Sequence, residues 1–249
     1  MTRRVRLERD TLWLSTADMV SLLVGLAVHV VLTRAFTEGD YGRWVLLLDL
    51  FYVTATIVDL GLPTLIGRDA ERLGSGAQNL VHRCIRIQVR FALPIIIISG
   101  LLGWWWIGDS TVWLVASIIL AISACVQILT YAHRAALRAL GESRQEALVR
   151  FVDRGATAIG IILAVAQFGA HPIALAMATF MGPLGAMLIA IRLGEKRLSS
   201  AEHGGVLETS VAEGRALINL GFPFLLAAMA LVANVRIEKL MLGSLSSTI

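Results

Sequence analysis

The basic residues of this chain fall on alternate connectors between seven long apolar stretches. The stretches lie at 12–33, 44–66, 88–107, 111–133, 152–169, 172–191 and 217–243. The first (1–11), third (67–90), fifth (134–154) and seventh (192–216) connecting segments hold 4, 5, 5 and 4 lysines and arginines, which is 18 of the 22. The even segments hold Arg34 and Arg43 and then none, while Arg236 and Lys239 lie inside or just beyond the last stretch. Cytoplasmic loops of membrane proteins are enriched in Lys and Arg. The alternation therefore predicts an all-α polytopic protein of a cell membrane, plasma or inner, with its N-terminus in the cytoplasm. A miscounted span would scramble the pattern.

Composition excludes the alternatives. At 57% hydrophobic and 16% charged residues, with a mean hydropathy of +0.75, a water-soluble globule of 249 residues is ruled out. The spans reach or approach the ~20 residues that cross a ~30 Å hydrocarbon core. The net charge of +4 does not indicate nucleic acid, because the positive charge sits in juxtamembrane loops, where anionic lipid headgroups attract it. Met1-Thr-Arg-Arg-Val-Arg looks like the charged start of a signal peptide, but the apolar run is long and no small-x-small cleavage site follows, so a retained first helix is expected. Cys84 and Cys125 give neither a disulfide framework nor a metal cluster. Trp13, Trp44, Trp104, Trp105, Trp106 and Trp113 all fall at span ends, where an amphipathic indole prefers to sit.

Three external connections are short: Arg34 to Arg43, Gly108 to Ser110, and about Phe168 to Pro172. The first six spans are thus expected to pair as antiparallel hairpins. The internal connectors run to 20 residues or more and read as partly helical. Segment 78–90, with basic residues on one side and aliphatics on another, suits either a surface-lying helix or an extension of the third span. Segment 198–214 is the most polar. It predicts a six-helix lobe over 1–197, a cytoplasmic linker over 198–216, and the first helix of a second lobe over 217–249.

Ionisable groups inside hydrocarbon cost at least a few kcal/mol, so their placement is the most function-like signal. The first span carries Ser15, Asp18, Ser21, Gly25, His29 and Thr33 within one arc at ~100° per residue. The second carries Asp49, Tyr52, Thr56, Asp59 and Pro63 at spacings of three and four. The fourth carries Ser123, Gln127, Thr130 and Arg134 in the same way. Three helices with one wet face each predict a bundle around a polar cavity. The competing account is hydrogen bonding across tightly packed helices. Asp18, Asp49 and Asp59 are candidates for a cavity or for coupling to an ion, and His29 for the same cavity or for a satisfied hydrogen bond. Arg34 is explained equally by snorkelling to headgroups.

The seventh span opens with Gly221-Phe222-Pro223, which predicts an early kink or break. Asn234 and Glu238 share a face further on, and Arg236 points away and needs a partner from another helix. The plainer reading ends this helix near Val235. No phosphate-cradling glycine loop, metal-ligand spacing or nucleophile elbow occurs. No enzyme, cofactor or metal is expected.

Leu32-Thr33-Arg34-Ala35-Phe36, Gly39-Asp40-Tyr41-Gly42, Asp59-Leu60-Gly61-Leu62-Pro63 and Arg68-Asp69-Ala70 form a familiar series. Ala136-Leu137-Arg138-Ala139-Leu140-Gly141, Gly221-Phe222-Pro223 and Arg236-Ile237-Glu238-Lys239-Leu240-Met241-Leu242-Gly243 continue it. Together they resemble the bacterial and archaeal polysaccharide transporters, lipid-linked oligosaccharide flippases of the multidrug/oligosaccharidyl-lipid/polysaccharide (MOP) exporter superfamily. The resemblance runs the length of the chain as loosely spaced residues. It implies two six-helix lobes around a central cavity and alternating access for undecaprenyl- or dolichyl-linked glycans. Glu238 stands where that family usually has Asp. The sequence given stops at Ile249, one helix into the second lobe, so it reads as lobe one plus a seventh helix, with the other lobe supplied by a missing second part or a second copy.

The function expected from these observations is export or flipping of a lipid-linked oligosaccharide or polysaccharide precursor, with membrane lipids and the lipid-linked glycan as partners and Na+ or H+ as a coupling ion. Arg34, Arg68 and Arg236 are the candidate anion contacts. Asp18, His29, Asp49, Asp59, Asn234 and Glu238 are the candidate coupling and cavity residues. A cation-coupled multidrug exporter is the alternative that the acidic stripes favour. A glycan polymerase or ligase is disfavoured by the absence of a large external loop, and a non-transporting scaffold is the remaining reading.

Overall fold

A computed structural model describes residues 3–73, 76–107, 110–201 and 214–246, with the side chains of residues 3–10, 71, 72, 76, 198–201 and 235–246 not described. All of its regular elements are helices: α1 (Arg3–Ala35), α2 (Glu38–Asp59), α3 (Leu62–Leu73), α4 (Gly76–Ile107), α5 (Thr111–Ala139), α6 (Ser143–Phe168), α7 (Pro172–Ala201) and α8 (Gly214–Ser246). Among the described residues, α1, α2, α4, α5, α7 and α8 are long and apolar enough to cross a membrane. The expected 152–169 span is the greater part of α6. The first half of that helix carries Arg144, Glu146, Arg150, Asp153 and Arg154, and α6 is not among the six.

Local chemistry sets the helix ends. Thr37 caps α2, its hydroxyl accepting the Asp40 N–H at 3.4 Å, and Glu38 and Asp40 place negative charge in the first turn. The α5–α6 turn closes over Gly141, whose φ of +75° suits a residue without a side chain. In that turn the Glu142 N–H donates to the Leu137 carbonyl at 2.8 Å, tying off the end of α5.

The expected second span (44–66) is two helices. The backbone turns left-handed at Leu60 (φ 53°) and Gly61 (φ 69°), and α3 restarts with Pro63 in its first turn, a position where proline's missing N–H costs nothing. The polar stripe of α2 therefore stops at Asp59, and Pro63 belongs to another element. Leu62, Leu65, Ile66 and Ala70 bury the apolar side of α3 with Val81, Cys84, Ala132, Ala136 and Leu217 from α4, α5 and α8. The 78–90 segment is the continuous start of α4, which decides for the extension over the surface-lying helix.

Helix α5 is the axis of the bundle, packing on α2, α3, α4 and α7. About half of its apolar window (56%) is buried, against 11% for α1 and for α8. The pairs α4/α5 and α6/α7 are hairpins in close contact. The expected α1/α2 hairpin is only a turn. Those two helices barely touch, and α1 lies along α6 instead. The physical reason is on α1 itself: Leu12, Met19, Leu22, Leu23 and Leu26 are exposed, as suits a lipid-facing helix, while Asp18 pairs with Arg150 of α6.

Pro223 lies within a continuous α8, which runs on to Ser246 rather than breaking early or ending near Val235. α8 packs chiefly on α2 and α3. The approach is made at glycines: a Cβ on Gly221 would come within 2.5 Å of the Leu60 carbonyl oxygen. Two segments that carry the family resemblance, Asp59–Pro63 and Gly221–Pro223, thus meet in space.

Candidate functional site

Four helices bring arginines to one end of the bundle, or carboxylates to face them. Arg134 and Arg138 lie one turn apart near the end of α5; Glu146, Arg150 and Arg154 lie one turn apart at the start of α6. The tight turn at Leu140–Glu142 folds the two rows together. Glu146 is fully buried. Its Oε1 accepts from Arg134 Nη2 at 3.3 Å, Arg138 Nη2 at 2.5 Å and Arg150 Nη2 at 3.2 Å, and its Oε2 from Arg138 Nε at 2.9 Å. From α1, Asp18 pairs with Arg150. Deeper in, Arg154 donates to the Tyr52 hydroxyl beside Asp153, and Gln127 donates to the Asp153 carboxylate.

The four arginines and Asp18 wall a cavity of about 620 Å³. Arg134, Arg138, Arg150 and Arg154 face Asp18 and Asp59 across it, with Ser21, Tyr131 and the Pro63–Gly67 side of α3 completing the wall. One carboxylate cannot saturate three guanidinium groups of five donors each. The Nε–H groups of Arg134 and Arg150 are buried without a hydrogen-bond partner. Orphaned donors of this kind cost ~1–3 kcal/mol apiece, and an acceptor-rich anion would satisfy them.

The sequence-derived candidates separate into distinct groups. Asp18 and Asp59 reach the cavity. Tyr52, Thr56, Asp59 and Gln127 line a smaller space of about 230 Å³ between α2, α5 and α8. His29 hydrogen-bonds Tyr41 (Nε2 to hydroxyl, 2.6 Å) and lines a separate, deeper chamber. Asp49 is fully buried on α2 and lines none of these spaces. Arg34 is exposed at the end of α1, away from the cavity. Arg68 is engaged elsewhere: Nε and Nη2 hold Asp69 at 2.7 and 2.9 Å, and its guanidinium lies over Phe224. Asn234 is exposed, and the side chains of Arg236 and Glu238 lie outside the described residues.

Of the cavity arginines, Arg134 belongs to the polar stripe of the fourth span, whereas Arg138, Arg150 and Arg154 enter the sequence reading only as basic residues of a connector. The missed signal was their period: Arg134/Arg138 and Glu146/Arg150/Arg154 repeat every four residues, which is a helix face and not a solvated connector.

Accessibility gives a direct check. Cysteine at Ser21 should react with a membrane-impermeant maleimide several-fold faster than cysteine at Ile97, which is exposed on the apolar side of α4. The native Cys84 and Cys125 are buried and do not compete. Equal rates at the two positions would mean that the cavity holds no water.

The helices and cavity define a multi-pass helical membrane fold. No protein-family model matches the chain, and no curated protein matches it by sequence. Solved structures do match by fold. An outward-facing multidrug resistance MATE family transporter of the MOP superfamily superposes with a TM-score of 0.68 at 17% identity, over 90% of this chain and 52% of its own. A MATE in complex with MaD3S gives 0.69 at 17%, over 90% and 53%. A MOP superfamily transporter from Pyrococcus furiosus Vc1 (DSM3638), described as having a binding pocket of reverse polarity that suggests a different function, gives 0.67 at 17%, over 90% and 52%. The chain has the fold of MOP superfamily transporters and spans about half the length of those it matches.

Proposed function

We propose that this chain is the N-terminal lobe of a MOP-type transporter whose cargo is an anionic, lipid-linked glycan, and that the arginine-walled cavity binds its diphosphate. The observation that carries this reading is the pair of partnerless, buried Arg134 and Arg150 Nε–H groups on one cavity wall. A diphosphate offers enough acceptor oxygens for both and matches the planar guanidinium fork. On this reading the cavity opens to the cytoplasm, because it lies among the arginine-rich connectors, and alternating access carries the bound cargo outward. The residues that bind are Arg134, Arg138, Arg150 and Arg154. Arg34, Arg68 and Arg236, chosen from the sequence, are not part of the proposed site.

The multidrug exporter remains the second reading, favoured by the MATE structures among those with this fold. It requires a cavity that attracts organic cations. Here the carboxylates of Asp18, Glu146 and Asp153 each sit beside a resident arginine, which leaves them poorly suited to that role. Coupling to Na+ or H+ would fall to Asp59, the cavity carboxylate with a buried oxygen lacking a partner.

Binding of undecaprenyl diphosphate to the protein in nanodiscs tests the choice. The Arg134→Gln/Arg150→Gln double variant should bind it at least tenfold more weakly, the scale of losing one or two charge-assisted hydrogen bonds. Unchanged affinity in the variant, or a wild type that prefers an organic cation such as ethidium, would transfer support to the multidrug reading.

A further inference from the structure

Past Arg154 the cationic cavity adjoins a second chamber of about 190 Å³, lined by α1, α2, α5, α6 and α7. Arg154 stands in the wall of both. The chamber has a different chemistry from its neighbour. The rings of Trp44, Phe51 and Tyr52 line it, with His29, Thr157 and Thr179 as hydrogen-bonding groups among aliphatic side chains. Trp44 is only 1% exposed, and its indole N–H has no hydrogen-bond partner. Buried tryptophans normally find an acceptor, so this donor points to one that a ligand brings. A carboxylate in the wall, Asp153, is already held by Gln127 and flanked by Arg154 and Arg134, which removes the attraction for an organic cation.

Aromatic faces combined with scattered hydrogen-bonding groups suit a ligand that has an apolar C–H face and a rim of hydroxyls. A pyranose ring has both. At ~30 Å³ per water the chamber has room for about six water molecules, the scale of one sugar ring and not of a long glycan. The sugar attached to a diphosphate must bind next to it, and the chamber adjoins the cationic cavity.

We propose that this chamber is a saccharide subsite that takes the first sugar of the lipid-linked glycan, with the Trp44 indole N–H and the Arg154 guanidinium donating to its oxygens. The proposal rests on the reading of the neighbouring cavity as the diphosphate site.

The experiment compares two probes on the full chain in nanodiscs: undecaprenyl diphosphate and undecaprenyl diphosphate bearing one N-acetylglucosamine. The sugar-bearing lipid should bind about tenfold tighter, as expected of one or two extra hydrogen bonds and a ring contact. Gly25→Leu should erase that gain while leaving affinity for the sugarless lipid unchanged. A Cβ at Gly25 meets nothing within 4 Å, so the added side chain occupies chamber space without moving the backbone, and leucine is the better helix former. Trp44→Phe, which keeps a ring and removes the N–H, should lose most of the gain. Equal binding of the two lipids by the wild type, or a gain that survives Gly25→Leu, overturns the subsite and leaves the diphosphate reading standing. Failure of either lipid to bind overturns both.

Discussion

Replacing Glu146 by alanine is expected to destabilise the folded protein by about 3–5 kcal/mol, the cost of breaking a buried ion cluster by removing one partner. Glu146 is inaccessible to solvent and holds three guanidinium groups. The Arg138 side chain is about half exposed (55%) and can turn to water, but Arg134 and Arg150 are only 10% and 14% exposed and cannot. Two charges would thus remain buried beside each other without their shared counter-ion. Glu146→Gln keeps the shape and one acceptor, and should fall between wild type and alanine. Denaturant titration in detergent micelles measures the difference, with protein that remains folded also binding diphosphate lipid more tightly because the competing carboxylate is gone. An alanine variant within about 1 kcal/mol of wild type would show that the arginines are not held by Glu146.

A valine at Gly61 should detach α8 from the rest of the bundle. The added Cβ would lie 2.2 Å from the Gly221 carbonyl oxygen and 2.8 Å from the Leu225 nitrogen, both backbone atoms that no rotamer change can move. The φ of +69° adds strain for any residue with a side chain. Steric overpacking of 1–3 kcal/mol and about 1–2 kcal/mol of left-handed strain together give a cost of about 2–5 kcal/mol, concentrated on a helix that packs chiefly on α2 and α3. Cysteines at Thr56 and Leu231, which line the same small space between α2 and α8, provide the readout. Their crosslinking yield should collapse in the Gly61→Val background and persist with Gly42→Ala, where a Cβ meets nothing within 4 Å. Undiminished crosslinking with valine at 61 would show that α8 is not seated on this turn.

The candidate site was legible in part. The stripes of α1 and α2 identified Asp18 and Asp59, because a helix period converts residue spacing into a shared face. The stripe of the fourth span also reached Arg134, but Arg138, Arg150 and Arg154 were missed because their rows lie on helices that extend past the apolar stretches, and the hydropathy that marks a span says nothing about its continuation. Arg68 shows the converse limit of sequence reading. Its place in a resemblance motif suggested an anion contact, but Asp69 beside it and Phe224, 156 positions away, take up its guanidinium.

The sequence alone determined that this chain is helical and crosses a membrane repeatedly. Those properties follow from local hydropathy and from connector charge, both readable one residue at a time. Only the tertiary structure decided that α1 leans on α6 instead of α2, that a left-handed turn at Leu60–Gly61 ends the α2 stripe and seats α8, and that arginines from α5 and α6 share one buried carboxylate. Each of these depends on which helix faces met across the bundle, and helical periodicity specifies a face without naming its partner.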